Sequence, residues 1–193
     1  MKDKQQIAIF ASGNGSNAQA IINHLAGHAQ AEVVAIYSNN TSAYVLERAK
    51  NHNIPAFVFS KEEFRSEGFL GNLVDRKYGL IVLAGFMWLV PAKLVAAYPQ
   101  RIINIHPALL PKFGGKGMYG QHVHEAVIAA NEKKSGITIH YVNEKYDEGD
   151  IILQESCEVK PDDTADSLAA RIHQLEHKFY PAVVEQLCLK NSQ

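Results

Sequence analysis

The chain has little cysteine and almost no net charge, and each shortage excludes a class of protein. Its two cysteines, Cys157 and Cys188, lie far apart and form no C-x-x-C pair, so neither a disulfide scaffold nor a cysteine zinc site is indicated. We expect two reduced, buried thiols in a cytoplasmic protein. The formal net charge of −1 over 193 residues offers no general attraction to nucleic acid or to an anionic membrane.

Long hydrophobic runs are also missing. The apolar run at residues 7–11 is too short for the core of a signal peptide, and no stretch approaches the length of a transmembrane helix. The sequence contains no H-E-x-x-H zinc motif and no G-x-S-x-G nucleophile motif. With 47% apolar and 20% charged residues, the composition is that of an ordinary globular protein, which we expect to form a single domain over residues 1–193.

Short apolar runs alternate with segments of helical spacing, which predicts an α/β fold with a mostly parallel twisted sheet flanked by helices. Strands are predicted at residues 5–11, 33–37, 56–59 and 80–84, and in the run that begins at residue 101. Helices are predicted at residues 18–25, 44–51, 91–98, 122–130 and 165–179. Two further segments, 136–142 and 151–155, predict an antiparallel hairpin toward the C-terminus.

Two of the predicted helices are irregular. Ser60 and Glu63 form a capping-box pattern that opens a helix, although Gly68 and Gly71 weaken its middle. The last helix is expected to bend or restart at Pro181 and to continue to about residue 187.

The run at residues 101–111, RIINIHPALLP, contains the clearest candidates for chemistry. Strand residues two apart face the same way, so Asn104 and His106 project together until Pro107 ends the strand. Open α/β sheets bind ligands at the carboxyl ends of their strands. There an amide can donate to a developing oxyanion and an imidazole can carry a proton, which suits acyl transfer. The alternative is a core Asn–His pair with satisfied hydrogen bonds.

Residues 12–17, SGNGSN, join the first strand to the first helix. Glycines let the backbone approach a ligand and a helix N-terminus offers free N–H groups, so the turn predicts a phosphate cradle with Ser16 and Asn17 as N-cap residues. The alternative is a plain tight turn with a cap. The G-x-G-x-x-A spacing also fits a dinucleotide fingerprint. However, the second strand ends in S-N-N at residues 38–40 without a carboxylate for the ribose, so a phosphate monoester fits better.

Two loops are candidates for ligand contact. Residues 85–91 form an apolar loop after a predicted strand, which is either a slot for a flat ring system or simply core packing. Residues 112–120 form a long Gly-rich loop, and loops of this length in compact domains are often functional or mobile.

Nine histidines raise the question of a metal site. The candidate ligands are His106, His122, His124, His140 and Asp147. His122 and His124 are two residues apart near a helix start, where they would not face together as helical ligands three or four apart do, so we predict metal-free chemistry. Asp147 lies in the polar turn after the hairpin's first strand. If the hairpin packs beside the central strand, Asp147 would reach His106 and hold it charged and oriented.

Five motifs together resemble the phosphoribosylglycinamide formyltransferases, the folate-dependent enzymes of purine synthesis. They are SGNGSN at residues 12–17, AGFM at 84–87, NIHPALLP at 104–111, DEG at 147–149 and EH at 176–177. The resemblance runs over nearly the whole chain and implies a Rossmann-like formyltransferase fold. It also implies metal-free transfer of a formyl group from 10-formyltetrahydrofolate to the amine of glycinamide ribonucleotide. The implied partners are these small molecules, not nucleic acid or membrane, and the chain would be a monomer or homodimer.

The resemblance implies a catalytic trio of Asn104, His106 and Asp147. Asn104 and a protonated His106 would stabilise the oxyanion formed when the substrate amine attacks the formyl carbon. Asp147 would orient His106 and anchor a water that relays the proton to the leaving folate nitrogen.

Binding residues follow from the same resemblance. Gly15, Ser16 and Asn17 would hold the ribonucleotide phosphate, and Glu176 would bind the glycinamide end. The folate contacts would come from the following set: Arg65 or a neighbour near the tail, Met87, Trp88, Leu89, Val90, Asn104, Asn143, Tyr146 and Asp147. Residues 1–100 would form the phosphate-binding and nucleotide-binding half, and residues 101–193 the catalytic and folate-binding half.

The chain departs from the family pattern at two points. Family members often carry Arg at the position of Trp88, and the loop at residues 113–121 is longer and richer in glycine than in many relatives. The family's ligand contacts are therefore not carried over to this loop, and at Trp88 an indole stands where many relatives have a charged side chain.

Three other functions share part of the pattern. A methionyl-tRNA formyltransferase would be expected to add a C-terminal domain and a basic surface, and a 10-formyltetrahydrofolate hydrolase to add an N-terminal regulatory domain. A non-enzymatic nucleotide-binding module would explain residues 13–17 but would give no role to Asn104, His106 and Asp147.

Overall fold

The computed structural model describes residues 4–190. The strands in this part of the chain are β1 (Gln5–Phe10), β2 (Ala31–Ser38), β3 (Ala56–Val58), β4 (Leu80–Leu83), β5 (Ile102–His106), β6 (Lys134–Tyr141) and β7 (Ile151–Glu158). The α-helices are α1 (Ser16–His24), α2 (Val45–Asn51), α3 (Glu67–Asp75), α4 (Ala92–Ala97), α5 (Gln121–Ala129) and α6 (Ala165–Lys190), and a 3₁₀ turn covers Glu63–Arg65.

One seven-stranded sheet has the strand order β3-β2-β1-β4-β5-β6-β7. Neighbouring strands from β3 to β5 are parallel, whereas β5–β6 and β6–β7 are antiparallel. The predicted mostly parallel sheet with a C-terminal antiparallel hairpin is confirmed. The chain passes from β1 to β2 and β3 and then crosses to β4 on the other side of β1. This reversal is a topological switch point, which is where open α/β sheets form their ligand clefts.

The two faces of the sheet bury different kinds of side chain. The face against α1 and α6 is mainly aliphatic and includes Ile103 and Ile105 of β5. The face against α3 and α4 is rich in aromatic rings and includes Ile102. Because strand side chains alternate, Asn104 and His106 share the face of Ile102, as predicted.

The predicted helix opening at Ser60 is divided in two. The capping box is present, since the backbone N–H of Glu63 donates to Ser60 Oγ at 3.1 Å and that of Ser60 donates to Glu63 Oε2 at 2.7 Å. The helix then breaks at Ser66, which is extended with φ −74° and ψ 145°. Ser66 Oγ accepts from the backbone N–H of Phe69 at 3.2 Å and so caps α3 as a new helix.

The last helix does not restart at Pro181 but continues through it to Lys190. A proline removes one helical hydrogen bond, so packing must hold the two parts in line. Tyr180 is fully buried, and its hydroxyl donates to the carbonyl of Leu83 at 2.9 Å, which fixes the middle of α6 on the sheet. At its start, Thr164 Oγ1 accepts from the backbone N–H of Ser167 at 3.2 Å and so caps the helix.

The two cysteines form no disulfide. Cys188 is buried as predicted, and burial raises its thiol pKa to about 12. Cys157 is half-buried rather than buried, because it lies on β7 at the edge of the sheet. Within residues 4–190, no helix combines the length and hydropathy needed to cross a membrane.

Candidate active site

A cavity of about 680 Å³ opens at the carboxyl ends of β1, β4 and β5. Its walls include the turn after β1 (residues 12–17), the loop after β4 (83–90), the end of β5 (104–107) and the Gly-rich loop (115–121). The loop after β6 and one face of α6 complete it. A concave site of this size at a switch point can bind small molecules.

The turn after β1 forms one end of the cavity. Gly15 is the N-cap of α1 and has φ 73°, a left-handed conformation that favours glycine. A Cβ at this position would lie 2.5 Å from Cγ2 of Val45, so any larger residue would also clash with that side chain. Contrary to the prediction, Ser16 and Asn17 are not N-cap residues but the first residues of the helix. Backbone N–H groups in the first helical turn have no helical acceptor and can bind an anion.

Asn17 links this turn to α6. Its Nδ2 donates to Oε2 of Glu176 at 3.0 Å, while its Oδ1 is buried without a hydrogen-bond partner. Glu176 is 6% exposed, and burial raises its carboxyl pKa, although the hydrogen bond from Asn17 and the nearby His173 oppose this shift. The structure thus brings three of the predicted ribonucleotide residues, Gly15, Asn17 and Glu176, to the same end of the cavity.

The end of β5 forms the other end of the cavity. In the β5–β6 register, Asn104 is paired with His140. Asn104 Nδ2 donates to His140 Nε2 at 3.2 Å and approaches Asp147 Oδ1 at 3.4 Å. His140 Nδ1 lies 2.8 Å from the carbonyl of Tyr141, which can only accept, so Nδ1 carries a proton.

Asp147 lies beside His106, as the hairpin argument predicted, and also beside His140, which it did not predict. Its Oδ2 is 3.6 Å from His106 Nδ1, and its Oδ1 is 3.6 Å from His140 Nε2. The backbone N–H of Gly115 donates to Oδ2 at 2.9 Å. Asp147 itself has φ 56°, an uncommon conformation for a residue other than glycine and one that is found at functional sites.

The electrostatics of this end favour a carboxylate beside a neutral imidazole. Burial alone would raise the Asp147 pKa, but contacts with His140, His106 and the N–H of Gly115 outweigh it, and the pKa is lowered. Burial lowers the pKa of His106, which Asp147 and the hydrogen bond to Phe113 only partly oppose. The expectation that Asp147 keeps His106 charged is therefore wrong for the ligand-free site, because the loss of solvent outweighs the carboxylate.

The position of the proton on His106 follows from its other contact. Its Nε2 lies 2.7 Å from the carbonyl of Phe113, so Nε2 carries the proton and Nδ1 is left as a free acceptor in the neutral ring. The 3.6 Å between Nδ1 and Asp147 Oδ2 is longer than a direct hydrogen bond.

The predicted folate residues divide into two groups. Met87, Trp88, Leu89, Val90 and Tyr146 line the cavity together with Asn104 and Asp147. Two others lie outside its wall. Arg65 is exposed on the 3₁₀ turn, and Asn143 uses its Oδ1 to accept from the backbone N–H of Lys145 at 2.9 Å.

The five candidate metal ligands do not all converge, although His106, His140 and Asp147 are neighbours. His122 is largely exposed and faces Glu125 at 3.4 Å, whereas His124 is buried in the cavity wall. In residues 4–190, no three His, Cys, Asp or Glu side chains are grouped so as to hold a metal ion. Metal-free chemistry itself stays a prediction.

Sequence reasoning missed several cavity residues. His140 was considered only as a metal ligand, but its place on the polar side of an alternating strand could have marked it as a neighbour of Asn104. Ser12 Oγ accepts from the backbone N–H of Met87 at 3.1 Å and so joins the turn after β1 to the loop after β4. His124 and His173, from α5 and α6, also line the cavity, and no local motif marks them.

Comparison with known proteins decides the family. The family model described as formyl transferase matches residues 5–184. The chain belongs to the formyl transferase family. The matched segment contains every residue predicted for the site. A chloroplastic phosphoribosylglycinamide formyltransferase of Arabidopsis thaliana is 43% identical over 96% of the chain, which spans 66% of that relative's length.

Two bacterial relatives are matched over nearly their whole length. The phosphoribosylglycinamide formyltransferase of Bacillus subtilis is 40% identical, over 95% of this formyl transferase chain and 94% of its own. The crystal structure of the enzyme of that name from Bacillus halodurans is 40% identical, covers 94% of each chain and superposes with a TM-score of 0.84. The sheet described above is therefore the formyltransferase fold.

Proposed function

We propose that the chain transfers a formyl group from 10-formyltetrahydrofolate to the amine of glycinamide ribonucleotide, a step of purine biosynthesis. The observation that carries the proposal is the convergence of Asn104, His106 and Asp147 at one end of a cavity whose other end is a helix N-terminus. The relatives that carry this name support the choice of substrates.

The two ends of the cavity suit the two ends of the ribonucleotide. The first turn of α1 behind Gly15 would bind the phosphate through backbone N–H groups, together with Ser16 and Asn17. Glu176, predicted at the glycinamide end, lies beside Asn17 at the cradle and would therefore bind the substrate between its phosphate and its amine. The amine would then lie near Asn104 and His106.

The formyl donor suits the wall formed by the loop after β4. Met87 and Leu89 are each 40% exposed in a loop that lines the cavity, and apolar side chains left in contact with solvent are suited to a flat ring. Val90 and Tyr146 extend this wall, and Trp88 packs behind it against Phe64, with ring centroids 6.0 Å apart. Arg65 and Asn143 remain candidates for the outer part of the donor. When bound, 10-formyltetrahydrofolate supplies the formyl carbon and a nitrogen leaving group.

The protein's part in the reaction follows from these contacts. The amine nitrogen attacks the formyl carbon to give a tetrahedral intermediate with negative charge on its oxygen, and the bond from that carbon to the folate nitrogen breaks when the intermediate collapses. The N–H of Asn104 that makes the long 3.4 Å contact with Asp147 Oδ1 can donate instead to the oxygen on which negative charge develops. His106 Nδ1 takes the proton that the amine loses and returns it to the folate nitrogen, so the enzyme is unchanged.

Asp147 makes this proton transfer feasible. His106 starts neutral, so it can act as a base, and the adjacent carboxylate stabilises the imidazolium that forms. The protonated Nδ1 would then also face the developing oxyanion. Holding both substrates in line supplies the entropic part of the rate enhancement, up to about 7–11 kcal/mol in well-oriented systems.

The proposal extends to the whole protein. Residues 1–193 would act as one domain, with a nucleotide-binding half at residues 1–100 and a catalytic and folate-binding half at 101–193. The chain would act in the cytoplasm without metal, nucleic acid or membrane, as a monomer or a homodimer.

An assay of formyl transfer tests the proposal. Purified protein should convert 10-formyltetrahydrofolate to tetrahydrofolate only when glycinamide ribonucleotide is present. Release of formate without the ribonucleotide would instead indicate a hydrolase, and formylation of aminoacylated tRNA would indicate a tRNA formyltransferase. Ribonucleotide binding with no turnover of the formyl donor would indicate a binding module.

A further inference from the structure

His124 is a cavity residue to which nothing above assigns a role. It lies in the first turns of α5, is 2% exposed and contributes to the cavity wall. Its Nδ1 is buried and has no hydrogen-bond partner. Buried polar atoms without a partner are rare in folded proteins, and one explanation is a partner that is present only when a ligand is bound.

Core packing alone does not require a histidine here. The neighbouring buried residues of α5, Val123 and Val127, are aliphatic and nearly inaccessible to solvent. A Leu or Phe would fill a similar volume at position 124 without leaving a polar atom unpaired. The imidazole therefore adds hydrogen-bonding capacity at a point where the folded chain does not use it.

The His124 ring is neutral near pH 7. Burial, and then the charges of His173 and His106, lower its pKa to about 4. A neutral ring attracts a phosphate or carboxylate less than a charged one does. It has one donor and one acceptor, which matches a hydroxyl group, since a hydroxyl can serve either nitrogen.

His124 lines the same cavity as residues of both ends, among them His106 at the catalytic end and His173 on α6. His173 Nε2 is 3.9 Å from Oε2 of Glu176, which in turn binds Asn17 beside the phosphate cradle. A ribonucleotide that spans the cavity has its phosphate at one end, its amine at the other and its ribose between them.

We propose that the His124 ring hydrogen-bonds a ribose hydroxyl of the ribonucleotide, an inference that rests on the proposed function. The protein would then bind a ribose more tightly than a deoxyribose at this point. The ring would contribute to the affinity for the ribonucleotide. It would have little effect on the formyl donor or on the chemical step.

Three substitutions test the contact. His124→Phe keeps a flat ring and removes both hydrogen-bonding atoms, whereas His124→Asn and His124→Gln place an amide near Nδ1 and Nε2 respectively. We expect His124→Phe to raise KM for glycinamide ribonucleotide about tenfold, with kcat and the KM of the formyl donor nearly unchanged. At least one of the two amide variants should recover most of the loss.

Substrate analogues make the test specific to the ribose. The 2′-deoxy or the 3′-deoxy analogue of glycinamide ribonucleotide should bind the wild-type protein about tenfold more weakly and bind His124→Phe with no further loss. His122→Phe is the matched control, because His122 is an exposed histidine two residues away on the same helix and lies outside the cavity wall. It should leave both KM values unchanged.

The outcomes separate this inference from the proposed function. A wild-type protein that does not formylate the ribonucleotide contradicts the proposed function. An active protein in which His124→Phe is folded and keeps its ribonucleotide KM contradicts the role of His124, as does an equal rise in both KM values. If His124→Phe does not fold, the two amide variants decide the question. The contact is overturned if, in both variants, the affinity lost through the substitution and the affinity lost through each missing hydroxyl simply add.

Discussion

The two ends of the cavity are built in different ways. The cradle end comes from one strand–turn–helix unit, in which Gly15 and Asn17 are neighbours in sequence, with Glu176 added from α6. The catalytic end combines the end of β5 with His140 of β6, the backbone of the Gly-rich loop and Asp147 in the loop after β6. The cradle is therefore built mainly from residues close in sequence, and its proposed task is to bind the phosphate. The catalytic end is built from segments far apart in sequence, so the charges of its side chains depend on how these segments pack.

This difference predicts different kinds of kinetic defect at the two ends. Groups at the catalytic end act mainly in the transition state, so their loss should lower kcat. Groups at the cradle contact a part of the substrate that does not react, so their loss should raise KM or Kd for one substrate.

The largest effect is expected at the catalytic end. Asn104→Ala and His106→Ala should each lower kcat at least about a hundredfold while KM changes little, because an oxyanion donor and a proton carrier are lost. Steady-state kinetics on folded protein would measure this, with His122→Ala as an exposed histidine control. A catalytic-end variant that retains more than about a tenth of wild-type turnover would remove that residue from the proposed mechanism.

Asp147 should behave as part of the same unit. Asp147→Asn alone should lower kcat about a hundredfold, because the imidazolium of His106 loses its neighbouring charge. The double variant with His106→Ala should be little slower than the slower single variant, since residues that act together do not contribute additively. Rate losses that multiply in the double variant would show that the two side chains act independently.

A smaller and more selective effect is expected at the cradle. Gly15→Leu forces a side chain into a left-handed position beside Val45, so it should weaken ribonucleotide binding about tenfold or more and leave folate binding nearly intact. Gly27→Leu is a matched control, because Gly27 has φ 72° but no atom near its Cβ position. Calorimetry that finds equal losses for both ligands in Gly15→Leu would contradict the assignment of this end to the ribonucleotide.

The same contrast explains what the sequence could predict. Local patterns were enough for the cradle at Gly15 and for the shared face of Asn104 and His106, because turn chemistry and strand alternation depend on neighbouring residues. The pairing of Asn104 with His140 depends on the β5–β6 register across a long connection, and the sequence pattern does not determine that register. Local signals also misplaced the N-cap at Ser16, because Gly15 takes that position with φ 73°, where Val45 from α2 leaves room for glycine only.

The sequence could not predict the charge of His106 for a related reason. Asp147 could be paired with it by assuming how the hairpin packs, and that pairing is present. The sign of the net pKa shift depends on how completely the loop at residues 113–115 and β6 remove water from the ring. That quantity exists only in the folded chain.

A titration of His106 should detect this burial directly. Its pKa should lie below the ordinary value of about 6.5, so the ring stays neutral to lower pH than an exposed histidine. Asp147→Asn should lower the pKa further, because the carboxylate favours the charged ring. Ring resonances followed by NMR, assigned by their loss in His106→Ala, would measure both values. A rise of the pKa in Asp147→Asn would contradict the electrostatic role of the carboxylate.

No effect at all is expected from removing metal ions. Among residues 4–190, no three His, Cys, Asp or Glu side chains are grouped so as to hold a metal ion, and the spacing of His122 and His124 does not suit one. Extended dialysis against EDTA should therefore leave kcat and both KM values unchanged. If activity were lost and then restored by zinc, Asp147, His106 and His140 would be the first candidates for the zinc ligands. The proton transfer assigned to His106 would then fail, because a metal-bound Nδ1 has no lone pair with which to accept a proton.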